Sequence, residues 1–296
     1  MADTLSTNLA EVTQELIAAT VAMMPQTAVM MSLVTRQNIG QGHDRVEIPR
    51  FNSTFSVQTP TEGDELVNTS QFDLTSSTIQ PTHRAIMVRI HERATYFSRD
   101  NVISMVSKEL ARAQGQDVDT DLTAEFANFG QTDIGATNRN LRLADLRRGR
   151  RQLLETAVAN GGPPSGTPTL VVSPMQEEML LADAGGMGHL SAAGTNTAPW
   201  IMEGISADIL KQYFVGSWFG VGVYRDGYIT AVSSAYNGGM FVKDALMLAM
   251  SKDWDMKTFE EANWIGPIIR CVADYNSGIP SYTNWGVEVL SNATAP

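Results

Sequence analysis

Asp117, Asp119 and Asp121 have the spacing in this chain nearest to that of a metal site. Carboxylates at alternate positions are the first ligands of a calcium loop. That loop also needs glycine at its sixth position and a bidentate glutamate at its twelfth. Here those positions are Leu122 and Asn128. The run therefore reads as a solvated helix face or a second helix N-cap. The histidines are His43, His83, His91 and His189. His83 and His91 can share a strand face, but eight residues separate them by about 26 Å, too far for one ion. Cys271 lies in the apolar run Ile268-Ile269-Arg270-Cys271-Val272 and reads as a small core residue rather than a nucleophile.

Catalytic signatures are missing from the sequence. There is no G-x-S-x-G elbow, no glycine-rich loop ending in Lys-Ser/Thr and no H-E-x-x-H. Gly220-Val221-Gly222 lacks a third glycine, and Gly185-Gly186-Met187-Gly188-His189 is similarly incomplete. We expect no catalytic residue, no bound cofactor and no metal, and read the chain as a non-enzyme. The sequons at Asn52, Asn68 and Asn292 carry little weight without a secretory signal.

What remains is the chemistry of charge. Arg142, Arg147, Arg148, Arg150 and Arg151 fall on the outer face of a helix expected over Leu141–Asn160, with Leu143, Leu146, Leu153 and Leu154 towards a core. Either this face is solvated and pairs with Asp145 and Glu155, or it meets an acidic partner surface. Nucleic-acid readout is a minor reading, because no aromatic residue is interleaved for stacking. Opposite in sign is the cluster Glu62, Asp64 and Glu65. The whole chain is acidic, with net charge -11 and pI about 4.8. A free, sequence-independent DNA binder carries the opposite sign. An acidic surface would not stick to nucleic acid enclosed with it.

Composition, 43% hydrophobic and 18% charged over 296 residues, suits one large or two modest domains with real cores. One cysteine excludes a disulfide framework. No apolar run approaches the ~18 residues of a membrane span. The N-terminus lacks the basic start and apolar core of a signal peptide, so use or assembly in a reducing cytoplasm is expected. Fifteen methionines serve as adaptable core filler or as interfaces that repack.

The acidic cluster sits at the tip of the element that organises the chain, a two-armed ribbon over Val46–His91. Apolar and polar residues alternate on both arms, as at Phe55/Val57 and Ile86/Val88/Ile90, which is the signature of strands. Gly63-Asp64 supplies turn chemistry. The middle, Asn52 to Gln80, is too polar to form a core, and a lone hairpin is marginal in water. Arms of roughly eighteen residues reach about 60 Å, against an expected radius of gyration near about 19 Å. Something outside the domain must hold the ribbon, which points to assembly.

Before the ribbon, residues 4–24 show helical spacing at Leu5, Leu9, Val12, Leu16 and Met23, ended by Pro25. That helix folds onto the core or reaches a partner. After the ribbon, Ser98–Phe129 predicts a long helix, about 48 Å if continuous, which Gly115 or Asp117–Asp121 could bend. Thr169–Ser173 is a buried-strand run, and Pro174 opens a helix over Met175–Asp183. Gly185–Pro199 reads as a mobile loop and Ile201–Tyr213 as a helix. Phe214–Tyr224 and Tyr228–Ser234 are expected to form a hairpin around Asp226-Gly227. Gly239–Ser251 is expected to be a helix. Trp264–Asp274 and Trp285–Leu290 are expected to be strands.

This order of elements resembles the major capsid proteins of tailed bacteriophages. Pro168-Thr169-Leu170-Val171-Val172-Ser173-Pro174 before a Glu-rich helix resembles the start of that family's axial domain. Phe214-Val215-Gly216-Ser217-Trp218-Phe219-Gly220-Val221, Ala245–Met250 and Gly286-Val287-Glu288-Val289-Leu290 also fit it. The resemblance implies an α+β fold: a long β-hairpin extended loop, a spine helix with a peripheral sheet, and a mixed α/β axial domain. By analogy, residues 1–42 are an N-terminal arm and 43–92 the extended loop. Residues 93–145 and 253–296 are the peripheral domain with its spine helix over 98–129, and 146–252 the axial domain. The implied function is self-assembly into pentamers and hexamers of an icosahedral virion head, made in the host cytoplasm. The head encloses double-stranded DNA without sequence-specific binding and involves no membrane.

Two departures from the family sharpen this. Some members weld the shell through a lysine in the extended loop, and this ribbon has none, so a noncovalent shell is expected. Only about forty residues precede the ribbon, so a separate scaffolding protein is expected, with the Leu5–Met24 helix its candidate site, besides a portal. Ribbon docking then rests on Phe55, Val57, Phe72 and Leu74, or on a cement protein. The acidic tip is expected to dock on a neighbour's Arg147, Arg148, Arg150 and Arg151, or on Arg89 and Arg93. The competing readings are an α/β enzyme with loop 185–199 as a lid, and a phage tail or adhesin subunit.

Overall fold

The computed structural model describes residues 28–40, 43–51, 59, 74–91, 93, 102–157, 160–188, 214–229, 231, 235–259, 265–266, 268–280 and 282–293. The helices expected over 4–24 and 201–213, the distal ribbon and most of the Gly185–Pro199 loop lie outside these residues. In chain order the elements are α1 (Met30–Leu33), β1 (Thr35–Asn38), β2 (Val46–Phe51), β3 (Leu74–Ile79), β4 (Thr82–Arg89) and α2 (Val102–Ala124). Then come β5 (Ile134–Gly135), α3 (Leu143–Leu154), β6 (Thr169–Val172), α4 (Pro174–Gly188), β7 (Phe214–Trp218) and β8 (Val221–Arg225). The chain closes with β9 (Ala235–Phe241), β10 (Met247–Phe259), β11 (Ile268–Gly278) and β12 (Gly286–Asn292).

The described residues form three sheets. One has the order β1-β10-β11-β4, one β5-β12-β9-β6-β8-β7, and in the third β2 pairs with β3. The helix α2 ties the two larger sheets together. At 1.5 Å per residue its 23 residues span about 35 Å, and Gly115 does not break it. Near its start Val106 and Leu110 pack with Ile90, Met256, Ile269 and Cys271 of the four-stranded sheet. Further along, Val118 and Leu122 join Phe126, Phe129, Val171 and Phe241 on the six-stranded sheet. A short 3-10 turn, Glu125–Asn128, ends the run. The opposite face of that sheet is covered by Leu143, Leu146 and Leu153 of α3 and by Met179 and Leu180 of α4. Thus Val171 faces one cluster and Leu170 and Val172 the other, as an apolar strand buried on both faces requires.

Two glycines let the end of α2 lie flat on the sheet. A Cβ at Gly239 would strike the Phe126 ring, and one at Gly286 the Phe129 ring. The rings of Phe126, Phe129 and Phe241 then sit with centroids 5.7–6.2 Å apart, within the range of favourable aromatic pairs.

Four expectations are corrected. Gly239–Ser251 is not a helix: β9 ends at Phe241, a 3-10 turn occupies Lys243–Ala245, and β10 begins at Met247. Its apolar run is buried on both faces, Leu248 and Met250 in one cluster, Met247 and Ala249 in another. A run buried all round carries no period that separates strand from helix. The hairpin turn lies at Phe219-Gly220, not Asp226-Gly227, with φ of +54° and +74° at its two residues. Asp226-Gly227 instead ends β8, where the Tyr228 amide donates to Asp226 Oδ1 at 2.8 Å. The ribbon's return arm divides at Gln80-Pro81, β3 pairing with β2 and β4 joining β11. Finally, the aspartate run of α2 is not a solvated face, as set out next.

Candidate assembly surfaces

Asp117 and Asp121 lie on one side of α2, towards Arg84, and Asp119 on the other. Asp121 takes the Arg84 guanidinium from β4 at 2.5 Å, and Asp117 accepts the Tyr275 hydroxyl. The Arg84 guanidinium also lies 5.7 Å from the Tyr275 ring centroid. Asp119 is buried and accepts the amides of Val29 at 2.8 Å and Met30 at 3.0 Å. The run thus anchors α2 to the four-stranded sheet on one side and to the entering N-terminal segment on the other. Among the described residues no three His, Cys, Asp or Glu side chains converge on a metal position. Cys271 is buried in the core, and burial pushes its thiol up to about 11.

The arginine helix α3 is held firmly. Its first turn is capped by Asp145, which accepts the Arg142 amide at 3.1 Å, and by Asp183 of α4, which accepts the Leu143 amide at 2.8 Å. Asp145 is already engaged by Arg139, through a fork of 2.6 and 2.9 Å. It is therefore not a partner for the outer arginines. Arg151 meets Glu155 at 3.7 Å on an exposed face. Arg147, Arg148 and Arg151 flank Ala144 around a shallow groove. Among the described residues no carboxylate lies within ion-pair distance of Arg147, Arg148 or Arg150. The guanidinium of Arg147 sits 5.7 Å from the centroid of Phe219, whose side chain is 43% exposed. Arg150 lies alongside Gly220 of the same turn.

Of the expected ribbon contacts, Leu74 is described and is 50% exposed at the outer end of the β2–β3 pair. Phe55, Val57, Glu62, Asp64, Glu65 and Phe72 lie outside the described residues. Arg89 is on the outward face of β4, and both it and Arg93 interact within the chain. The base of the ribbon is fixed, because Val46 and Ile79 bury against Met247 and Ala249 of β10.

One surface escaped sequence reasoning. The register sets Lys257 beside Arg270 and Arg270 beside Met87, and sets Lys252 and His83 on either side of Asp274. His83 Nδ1 meets Asp274 Oδ1 at 2.5 Å, while Lys252 and Lys257 share Asp255 at 3.1 and 3.6 Å. His83, Lys252, Asp255, Lys257 and Arg270 edge a hollow of about 280 Å³ on the outward side of the sheet. The alternation of Arg270, Val272 and Asp274 was visible in the sequence, but their cross-strand neighbours come from strands far away in the chain.

No protein-family model matches this sequence, and no curated protein does. Solved structures do match. The chain is similar to the capsid protein of Ralstonia phage GP4, with TM-score 0.66 and 13% identity over 89% of this chain and 88% of that one. It is similar to the capsid of cyanophage P-SCSP1u, with TM-score 0.62 and 13% identity over 88% and 87%. The virus-like particle of Pyrococcus furiosus matches with TM-score 0.58 and 9% identity over 94% and 98%. At these identities the likeness is one of fold: the chain has the α+β fold of phage capsid subunits.

Proposed function

We propose that this protein is a major capsid protein, whose copies form the pentamers and hexamers of a closed icosahedral head around double-stranded DNA. The observation that carries this is the fold shared with shell subunits over 88–94% of the chain. The ribbon fits the same reading, since its distal sequence is too polar to bury itself and its base is fixed to β10. Residues 1–42 act as the N-terminal arm and 43–92 as the extended loop. Residues 93–145 with 253–296 form the peripheral domain, and 146–252 the axial domain. Closure follows from repeated head-to-tail contact between unlike patches, and many contacts of moderate energy add up.

Residues 43–92 contain no lysine, so the ribbon docks noncovalently. Purified shells boiled in detergent give intact monomer bands, and a covalent ladder would sink this point. A separate scaffolding protein engages Leu5–Met24 during assembly in the host cytoplasm, alongside a portal, and ribbon docking rests either on Phe55, Val57, Phe72 and Leu74 or on a cement protein. Deleting residues 1–24 disturbs assembly before it disturbs folding. Negative-stain microscopy of the purified protein tests the whole reading. Closed shells of uniform size are the expected result. Tubes would favour a tail subunit, and dispersed monomers under all assembly conditions would remove the proposal.

A further inference from the structure

The α3 face has arginines with little acid beside them, and the distal ribbon, residues 52–73, has acids and no lysine or arginine. Arg147 and Arg148 are exposed and meet no carboxylate among the described residues, and Arg151 has only a distant, exposed Glu155. Residues 52–73 carry Glu62, Asp64, Glu65 and Asp73 and no lysine or arginine. Because Phe51 pairs with Leu74, this stretch leaves and returns at one point. Its 22 residues reach at most about 36 Å past that pair at 3.3 Å per residue.

The β7–β8 turn adds an observation independent of charge. Phe219 adopts φ +54°, a left-handed conformation that bulky side chains rarely take. Strain of this kind persists where the surroundings impose it, and clusters at functional positions. Here the strained residue presents a 43% exposed ring, and that ring supports the guanidinium of Arg147 by a cation–π contact.

We infer that the face formed by Arg147, Arg148, Arg151 and Phe219 receives the acidic ribbon tip, Glu62-Gly63-Asp64-Glu65, of a second copy. The inference rests on the shell reading above and names the receptor within it. Arginine suits this task because its planar fork pairs with carboxylates through two parallel hydrogen bonds. The other cationic surfaces are less available. Arg89 and Arg93 already interact within the chain, and Lys252 and Lys257 are shared with Asp255. The contact joins unlike patches, so it propagates around a ring instead of ending at a dimer.

Three variants test it: Glu62→Lys/Asp64→Lys/Glu65→Lys, Arg147→Glu/Arg148→Glu/Arg151→Glu, and both sets together. Circular dichroism establishes folding, and sedimentation with microscopy measures shell yield at low and high salt. Each reversal should lower low-salt yield about tenfold, since weak exposed pairs are multiplied over many copies. The combined variant should return to wild-type yield, the signature of direct coupling. If the α3 reversal misfolds, Arg147→Gln/Arg148→Gln replaces it and should lower yield in the same direction. Wild-type yield from the folded α3 variant overturns the inference, as does a combined variant no better than either single set. So do full-yield α3 shells that differ only in nucleic-acid content, which would make the face a nucleic-acid surface. A wild type that forms no shells fails earlier, at the proposed function itself.

Discussion

Asp119 and Asp226 are both buried, and the charge of Asp226 raises the pKa of Asp119. Asp119 comes from the second half of α2 and Asp226 from the residue just after β8. Burial is the larger cause of the rise at Asp119 and the main one at Asp226. The amides of Val29 and Met30 oppose it at Asp119, and that of Tyr228 at Asp226. Among the described residues Asp226 Oδ2 has no hydrogen-bond partner. This junction, where the N-terminal segment, α2 and the six-stranded sheet meet, thus holds two acids that resist ionising together.

The pair sets a direction for stability against pH. Both folded pKa values lie above the unfolded ones, so the pair's contribution is fully present below the usual carboxylate range. It is lost as pH rises through the raised folded values. Asp226→Asn keeps the shape and removes one charge. It should raise stability at pH 8 on the order of 1 kcal/mol and flatten the pH dependence. Urea midpoints at pH 5 and pH 8 measure this, and identical pH slopes in variant and wild type would exclude it.

Arg84 should matter in the opposite pH sense. Its guanidinium bonds Asp121 and lies over Tyr275, and without it Asp117 and Asp121 face each other uncompensated. Arg84→Met should cost about 2 kcal/mol at pH 8, as for a charge-assisted hydrogen bond. The cost should shrink at pH 4, where protonation of Asp121, whose pKa burial raises, weakens the pair in the wild type too. Thermal unfolding of both proteins at the two pH values gives the comparison.

Phe219 is suboptimal for folding alone. Phe219→Asn accepts the positive φ, as the first position of this two-residue turn prefers, and should stabilise the isolated subunit by about 1 kcal/mol. The same change removes the support for Arg147 and should reduce shell yield. Denaturant unfolding and sedimentation, run on one preparation, separate the two effects. A variant neither more stable nor poorer in assembly would mean that the strain has no role.

Gly286 reports the fit between α2's end and the sheet. Gly286→Ala places a methyl against the Phe129 ring and should destabilise by about 1–3 kcal/mol, the cost of overpacking. Phe129→Leu in the same chain should recover part of that loss. Chemical denaturation of the two single variants and the double variant measures the coupling, and strictly additive losses would argue against the contact.

Much of this was legible in the amino-acid order. Thr169–Val172 has an apolar run bounded by turn residues and is a buried strand, and Pro174 opens the following helix. The spacing of Val106, Leu110 and Leu122 placed a long helix, and Leu143, Leu146 and Leu153 placed the inner side of the arginine helix, whereas Leu154, expected there too, is exposed. Those features repeat with the period of the element itself, so neighbours in sequence are enough to reveal them. The acidity of the ribbon and the basic face of α3 are likewise sums over local residues.

Tertiary structure decided the rest. Asp117, Asp119 and Asp121 are chemically alike in the sequence, yet they bind a tyrosine hydroxyl, two backbone amides and a guanidinium from three separate segments. Met247–Met250 became strand because β1 and β11 pair with it on either side and apolar clusters cover both its faces, which no window of its own residues could show. The outward cationic sheet face and the Arg147–Phe219 contact depend on cross-strand register and on a turn with left-handed residues. Periodicity is a property of one segment, whereas register and the meeting of charges depend on segments brought together by burial, at separations that local sequence does not encode.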